Sequence, residues 1–185
     1  IQEFTKGKPN CMVIDGYDKE LIRRLADGFK SKLIRFYYGG DVIGSEIGAA
    51  AKNVMGIAAG ILDGGDLYTL KGPLMARGAR EVARLIKAMG GNELSAYGLC
   101  HLGDYETTLF SEYSNNRQYG EDLYRKKPFT KLAEGVSTTK ALKLLGEKYK
   151  VELPITNAVY NIIYGQKEPL EELLKLFERK TVDEF

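Results

Sequence analysis

The sequence predicts a mainly α protein, an all-helical domain preceded by a short β-α-β remnant of an α/β domain. Three observations predict it. Two short runs of β-formers flank one amphipathic helix before Gly40. Beyond Gly40, apolar residues recur at helical spacing in successive stripes that glycines stop. The 185 residues, 44% hydrophobic and 28% charged, have the composition and length to bury a core without disulfide staples.

The elements follow in order. Asn10-Cys11-Met12-Val13-Ile14 reads as a buried strand ending at Asp15-Gly16. Asp18 is a good N-cap for a helix carrying Leu21, Ile22, Leu25 and Phe29. Leu33 to Tyr38 reads as a second strand. Two strands and one helix are too little for an independent sheet. Residues 1–40 are therefore expected to be the tail of a larger α/β domain, and the chain a piece of a longer protein. A small capping subdomain is the alternative. Residues 41–185 form the helical domain. Ile47, Ala51, Val54, Ala58 and Ile61 make its first stripe, ended by Gly64-Gly65; Leu74, Met75, Ala79, Val82, Leu85, Ile86 and Met89 make the next, ended by Gly90-Gly91. Residues 93–127 are less regular, with polar turns. Ser137 is expected to cap a helix through Ala141, Leu142, Leu145 and Tyr149, and Thr156 one through Val159, Ile162 and Ile163. Pro169 suits the first turn of a last helix.

Composition narrows the function classes. A net charge of +2, from 27 basic and 25 acidic residues, argues against a nucleic-acid binder or a polybasic membrane binder. No apolar run approaches the roughly 20 residues of a membrane span. His101 is the single histidine, and Cys11 and Cys100 have no metal-ligand spacing, so zinc sites and histidine-based triads are set aside. The opening residues lack a signal-peptide pattern, and a cytoplasmic location is the expectation.

The segment Gly44 to Gly60 carries the most chemistry. Glycines at 44, 48, 56 and 60 lie four apart on one helix face, and Lys52 fills the missing place in that row. Each interior glycine costs about 1 kcal/mol against alanine, so the row implies close approach by a neighbouring helix or a ligand. A lysine drawn partly out of water is easier to deprotonate, as general acid/base work requires. An ion pair across a helix interface is the structural alternative. Asn53 beside it offers an amide to the site or to another helix. Gly103-Asp104-Tyr105-Glu106-Thr107-Thr108, then Ser114-Asn115-Asn116-Arg117, could hold an anion or form a capped turn. Leu132-Ala133-Glu134-Gly135 reads as a turn into a helix. His101 is expected to be structural.

Together these segments resemble the C-terminal half of NAD(P)-dependent glycerol-3-phosphate dehydrogenase of the bacterial type. The resemblance runs through the Lys52-Asn53 pair, Arg77-Gly78 with Glu81, Gly103-Asp104 to Gly120, Ala133-Glu134-Gly135-Val136, and Pro154-Ile155 to Tyr164-Gly165. It implies a Rossmann-type cofactor domain ahead of the helical domain, with the site between them. No G-x-G-x-x-G turn occurs in this chain, so the resemblance puts the pyrophosphate loop elsewhere in the protein. The implied reaction is reversible reduction of dihydroxyacetone phosphate to sn-glycerol 3-phosphate, supplying glycerophospholipid synthesis. The implied cofactor is NAD or NADP. The resemblance makes Lys52 the catalytic lysine and a substrate contact. It adds Asn53, Asp104, Thr108, Ser114, Asn115, Asn116 and Arg117 as substrate-binding residues, and Asn115, Leu132 and Glu134 as cofactor-binding ones.

One position departs from the family pattern: Asn115 stands where the family usually has the first arginine of Ser-Arg-Asn-Arg. The implied partner is a small phosphorylated molecule, with no nucleic acid; a homodimer is compatible with the family. Two other functions compete. One is a related dehydrogenase of another small hydroxy or keto acid. The other is a non-catalytic helical module for binding or dimerisation.

Overall fold

The structure, a computed structural model, describes residues 4–111, 113–181 and 183. Strands β1 (Asn10–Ile14) and β2 (Ile34–Tyr38) pair in parallel, from Asn10 opposite Ile34 to Ile14 opposite Tyr38. Helix α1 (Lys19–Phe29) crosses between them, and the Asp18 carboxylate accepts from the Glu20 and Leu21 amides as its cap. The apolar face of α1 is narrower than its spacing predicts. Ile22 and Ala26 are buried, whereas Leu21, Leu25 and Phe29 are exposed. A sheet of two strands covers one strip of a helix and no more.

The core lies in the helical part. Helix α2 (Val42–Gly64) is its axis, with Ala51, Val54, Met55, Ile57, Ala59 and Ile61 fully enclosed. Around it pack α3 (Lys71–Ala88), α4 (Asp104–Phe110), α5 (Asn115–Tyr124), α6 (Glu134–Tyr149) and α7 (Pro154–Tyr164), and α8 (Pro169–Phe177) lies on α7. A helix apolar on nearly all sides has to be central, since no face of it suits water.

The β-α-β unit joins α2 through carboxylates. Asp15, just after β1, accepts from Ser45 Oγ at 2.7 Å and from the Asp41 amide at 3.2 Å. Asp41 in turn accepts from the Asn92 amide at 2.8 Å and from Ser95 Oγ at 2.7 Å. Burial pushes the Asp41 carboxyl up, but donors from Ser95, Gly44 and Asn92 outweigh it and hold the group below its ordinary range.

Three local expectations are corrected. The irregular stretch 93–127 contains two helices, α4 and α5, besides a 3₁₀ turn at Glu93–Tyr97 and a wider π turn at Leu99–Gly103. Ser137 does not cap α6; the helix begins at Glu134, and the Ser137 hydroxyl donates back to the Glu134 carbonyl at 3.1 Å. Nor does Thr156 cap α7, which begins at Pro154. The buried Glu81 of α3 does that from a distance, accepting from the Ile155 amide at 2.7 Å, the Thr156 amide at 3.0 Å and Thr156 Oγ1 at 2.6 Å. A carboxylate on exposed helix N–H groups satisfies donors the helix cannot, so it serves where a local hydroxyl would.

Candidate active site

Lys52 leaves α2 midway along the glycine row. Its ammonium donates to Asp104 Oδ2 at the start of α4, with 24% of the lysine and 47% of the aspartate side chain in solvent. The pair is thus part-exposed rather than within the core.

The glycines on either side are filled by protein. At Gly48 a Cβ would lie 3.0 Å from His101 Cβ and 3.3 Å from Cys100 Sγ. At Gly56 it would lie 3.0 Å from Thr108 Cγ2 and 3.2 Å from Asn116 Cβ. The row is therefore the seat of the turn before α4, of α4 and of α5. It brings Asp104 and Thr108 on α4, and Asn116 on α5, to the stretch of α2 that bears Lys52 and Asn53.

Asn116 is buried and ties three helices together. Its Oδ1 accepts from the Gly135 amide at 2.8 Å, which leaves its Nδ2 to donate to Asn53 Oδ1 at 3.0 Å. The first turn of α6 sits directly on α2, since a Cβ at Gly135 would come within 2.6 Å of the Asn53 carbonyl oxygen. Thr108 donates its hydroxyl to the Asp104 carbonyl at 2.8 Å. Ser114 caps α5, its Oγ accepting from the Arg117 amide at 3.3 Å.

Asn115, Leu132 and Glu134 form a rim beside this group. Asn115 Nδ2 donates to the Leu132 carbonyl at 3.2 Å, Leu132 is 75% exposed, and the exposed Glu134 opens α6. An exposed apolar side chain flanked by an amide and a carboxylate suits the edge of a planar, polar ring system. The residues present fit the nicotinamide end of a dinucleotide.

Arg117 points elsewhere. Its Nη1 donates to Asp63 Oδ2 at 2.6 Å and lies 3.5 Å from Glu121 Oε2, while its Nε donates to the Ser111 carbonyl at 3.0 Å. Asp63 stands eleven residues beyond Lys52, or about 16 Å along α2 at 1.5 Å per residue. Asn53, Asp104, Thr108 and Asn116 gather along the stretch of α2 around Lys52, and Asn115 beside Leu132 at the α6 rim; the Arg117 guanidinium does not join them. Asp63 and Lys71, whose Nζ lies 2.6 Å from Asp63 Oδ1, escaped the sequence reading. The one signal for them is a carboxylate directly after the apolar run Val54 to Leu62.

His101 is enclosed beneath Gly48. Its Nδ1 bonds the Gly48 carbonyl at 2.8 Å, and burial, with a smaller push from the Lys52 charge, lowers its pKa to about 4 against the opposing Gly48 bond. Tyr105 beside it, rings 5.0 Å apart, donates to the Leu74 carbonyl at 3.0 Å, and burial drives its phenol upward. Both are neutral packing groups near physiological pH. Among the described residues no His, Cys, Asp and Glu cluster could hold a metal ion, and no helix is long and apolar enough to cross a membrane.

Comparison with known proteins assigns the chain to a family. The family described as NAD-dependent glycerol-3-phosphate dehydrogenase C-terminus matches residues 41–174. The chain is 36% identical to glycerol-3-phosphate dehydrogenase [NAD(P)+] 1 of Salinibacter ruber, over 99% of this chain and 56% of that protein. It is 38% identical to glycerol-3-phosphate dehydrogenase [NAD(P)+] of Lawsonia intracellularis, over 99% of this chain and 54% of that one. The chain thus spans a little over half the length of these relatives. The crystal structure of glycerol-3-phosphate dehydrogenase from Coxiella burnetii superimposes with a TM-score of 0.88 at 28% identity, covering 96% of this chain and 57% of that one. The Plasmodium falciparum glycerol-3-phosphate dehydrogenase shares the fold, with a TM-score of 0.86 at 20% identity. With most of its helical part matched and its Lys-Asp pair seated on a glycine-faced helix, the chain belongs to the NAD-dependent glycerol-3-phosphate dehydrogenase C-terminal family.

Proposed function

We propose that the complete protein reduces dihydroxyacetone phosphate to sn-glycerol 3-phosphate, reversibly, with NADH or NADPH, and that residues 41–185 are its substrate-binding and catalytic domain. Residues 1–40 are then the end of its cofactor domain. The exposed Met12, Leu21, Leu25, Phe29, Tyr37 and Tyr38 support that division, because further strands and helices would cover them. Supply of glycerol phosphate for lipid synthesis in the cytoplasm is the role that goes with this reaction.

The observation that carries the reading is the Lys52–Asp104 pair. A bound nicotinamide, which Asn115, Leu132 and Glu134 would hold at the rim, would supply the hydride chemistry at C2 of the ketone. Lys52 delivers a proton to the ketone oxygen, and its ammonium stabilises the negative charge that grows there. Asp104 orients that ammonium. Asn53, Thr108, Ser114 and Asn116 surround the substrate with short hydrogen-bonding groups. In the complete protein, Lys52→Ala is expected to lower kcat by about 10²-fold or more with the fold intact, measured by steady-state kinetics alongside circular dichroism. Near-normal turnover by the folded variant would remove Lys52 from the mechanism.

A second reading has one observation in its favour. Asn115 is neutral and Arg117 is bonded to Asp63, so neither offers a free cation to a phosphate. A dehydrogenase of an unphosphorylated hydroxy or keto compound fits that. Comparing kcat/KM for dihydroxyacetone phosphate and for dihydroxyacetone separates the two.

A further inference from the structure

We infer that Asp63 is a positioning residue, which acts through Lys71 and Arg117 to fix the connection between α4 and α5 and thereby the spacing of Asp104 from Ser114, Asn115 and Asn116. The inference rests on the proposed reading of those residues as the substrate site.

Asp63 is almost enclosed, with 6% of its side chain exposed. Its two oxygens take one cation each: Lys71 Nζ at 2.6 Å on Oδ1 and Arg117 Nη1 at 2.6 Å on Oδ2. Each cation spends a further donor on a backbone carbonyl of the same short stretch. Lys71 donates to the Leu109 carbonyl at 3.2 Å, and Arg117 Nε to the Ser111 carbonyl at 3.0 Å. The Lys71 ammonium also stands 5.0 Å over the ring of Phe110, between those two residues. The chain leaving α4 is therefore gripped on both sides of Phe110 by two cations that one carboxylate holds together. Carbonyls in the last turn of a helix lack intrahelical partners, so they suit a cation. Glu121, 3.5 Å from Arg117 Nη1, contributes the second negative charge.

The geometry bears on the site because the gripped segment links its two halves. Asp104 and Thr108 lie on α4 before it. Ser114, Asn115 and Asn116 lie on the cap and first turn of α5 after it, and α5 itself carries Arg117. A network that served stability alone would need no bonds to the connection. Buried ion pairs are in general replaceable by apolar groups without loss of stability, and here the backbone bonds would be lost with them.

The test uses the complete protein, with KM and kcat for dihydroxyacetone phosphate and amide hydrogen exchange as readouts. Asp63→Asn keeps the shape and removes the charge. KM is expected to rise about tenfold or more while kcat changes much less, with faster exchange at 109–117 and not in α7. Were Arg117 itself the phosphate ligand, releasing it from Asp63 would lower KM; a lower or unchanged KM in the folded variant overturns the inference. Asp63→Asn also leaves two buried cations without their carboxylate and is liable to unfold, so Arg117→Lys is the second variant. It keeps a charge for Asp63 but loses the Nε bond to Ser111. The same KM shift is expected at a melting temperature near that of the wild type, and the double variant should be no worse than Asp63→Asn alone. If the wild type does not turn over this substrate, the proposed function fails by itself. Hydrogen exchange then decides: unchanged protection at 109–117 in Arg117→Lys overturns the positioning role.

Discussion

The two ring nitrogens of His101 have unequal fates, and this gives the fold a measurable pH dependence. A carbonyl can only accept, so Nδ1 carries the proton donated to the Gly48 oxygen. Nε2 is then a bare lone pair, buried and with no partner among the described residues. Protonating it would put an N–H in the core with nothing to accept it, which is why burial holds the group at about 4 instead of 6.5. Between those values the unfolded chain takes up a proton that the folded chain refuses. The contribution is fully present above about pH 6.5, falls as pH drops, and is lost near pH 4. At about 1.4 kcal/mol per unit it amounts to roughly 3 kcal/mol. Urea unfolding at pH 7 and pH 4.5 measures it. The wild type is expected to lose more stability over that interval than His101→Gln, which lacks the imidazole but keeps every other titrating group; equal losses would show that His101 does not carry the effect.

At the scale of elements, the crossing of α2 and α5 is a backbone contact. A Cβ at Gly60 would run into the Arg117 carbonyl oxygen, and one at Gly120 into the Ile57 carbonyl oxygen. Neither obstacle is a flexible side chain, so the helices must separate or bend. Gly120→Ala is expected to cost about 1–3 kcal/mol or more in denaturant unfolding. Gly28→Ala, on α1 with nothing within 4 Å of its Cβ position, is expected to gain up to about 1 kcal/mol. Equal effects at the two sites would mean that the glycine row is not a packing surface. The sequence made the row on α2 legible, but not what fills it. The reason is α5 itself: its fully buried residues are Asn116 and Gly120, and its apolar Tyr119, Leu123 and Tyr124 are only partly buried, so its stripe is faint. Periodicity detects helices that bury a long run of hydrocarbon, and α5 adds an amide, a glycine and an ion network to three partly buried apolar side chains. The caps of α6 and α7 were misread for a related reason. Glu81 reaches the start of α7 from 74 positions away, and no local pattern encodes that. What is encoded locally, such as the Asp18 cap and the stripes of α2 and α3, is legible, and so is the ion pair across a helix interface that the sequence offers as the structural alternative for Lys52.

At the scale of the molecule, the question is what this length of chain can do without the rest of its relatives' length. Its core belongs to the helical part, so residues 1–185 are expected to unfold from a helical state in a cooperative denaturant transition. Dinucleotide binding is a different matter. A helix N-terminus after a parallel strand is a natural seat for a pyrophosphate, because free N–H groups and the helix dipole favour an anion. The turn from β1 to α1 has spent that seat. The Asp18 carboxylate already takes the Glu20 and Leu21 amides at 3.0 Å each, Asp15 takes the Gly16 amide at 2.8 Å, and Glu20 adds a further negative charge in the first turn. A pyrophosphate arriving there would displace one carboxylate and face two more. On the proposed reading the rim of Asn115, Leu132 and Glu134 would meet the nicotinamide, but none of the three is a cation. Calorimetric titration of residues 1–185 with NADH and NADPH is therefore expected to show no binding in the micromolar range. Micromolar affinity for either would mean that the helical part holds the cofactor by itself, and the division of labour between two domains would have to be redrawn around the rim at α6.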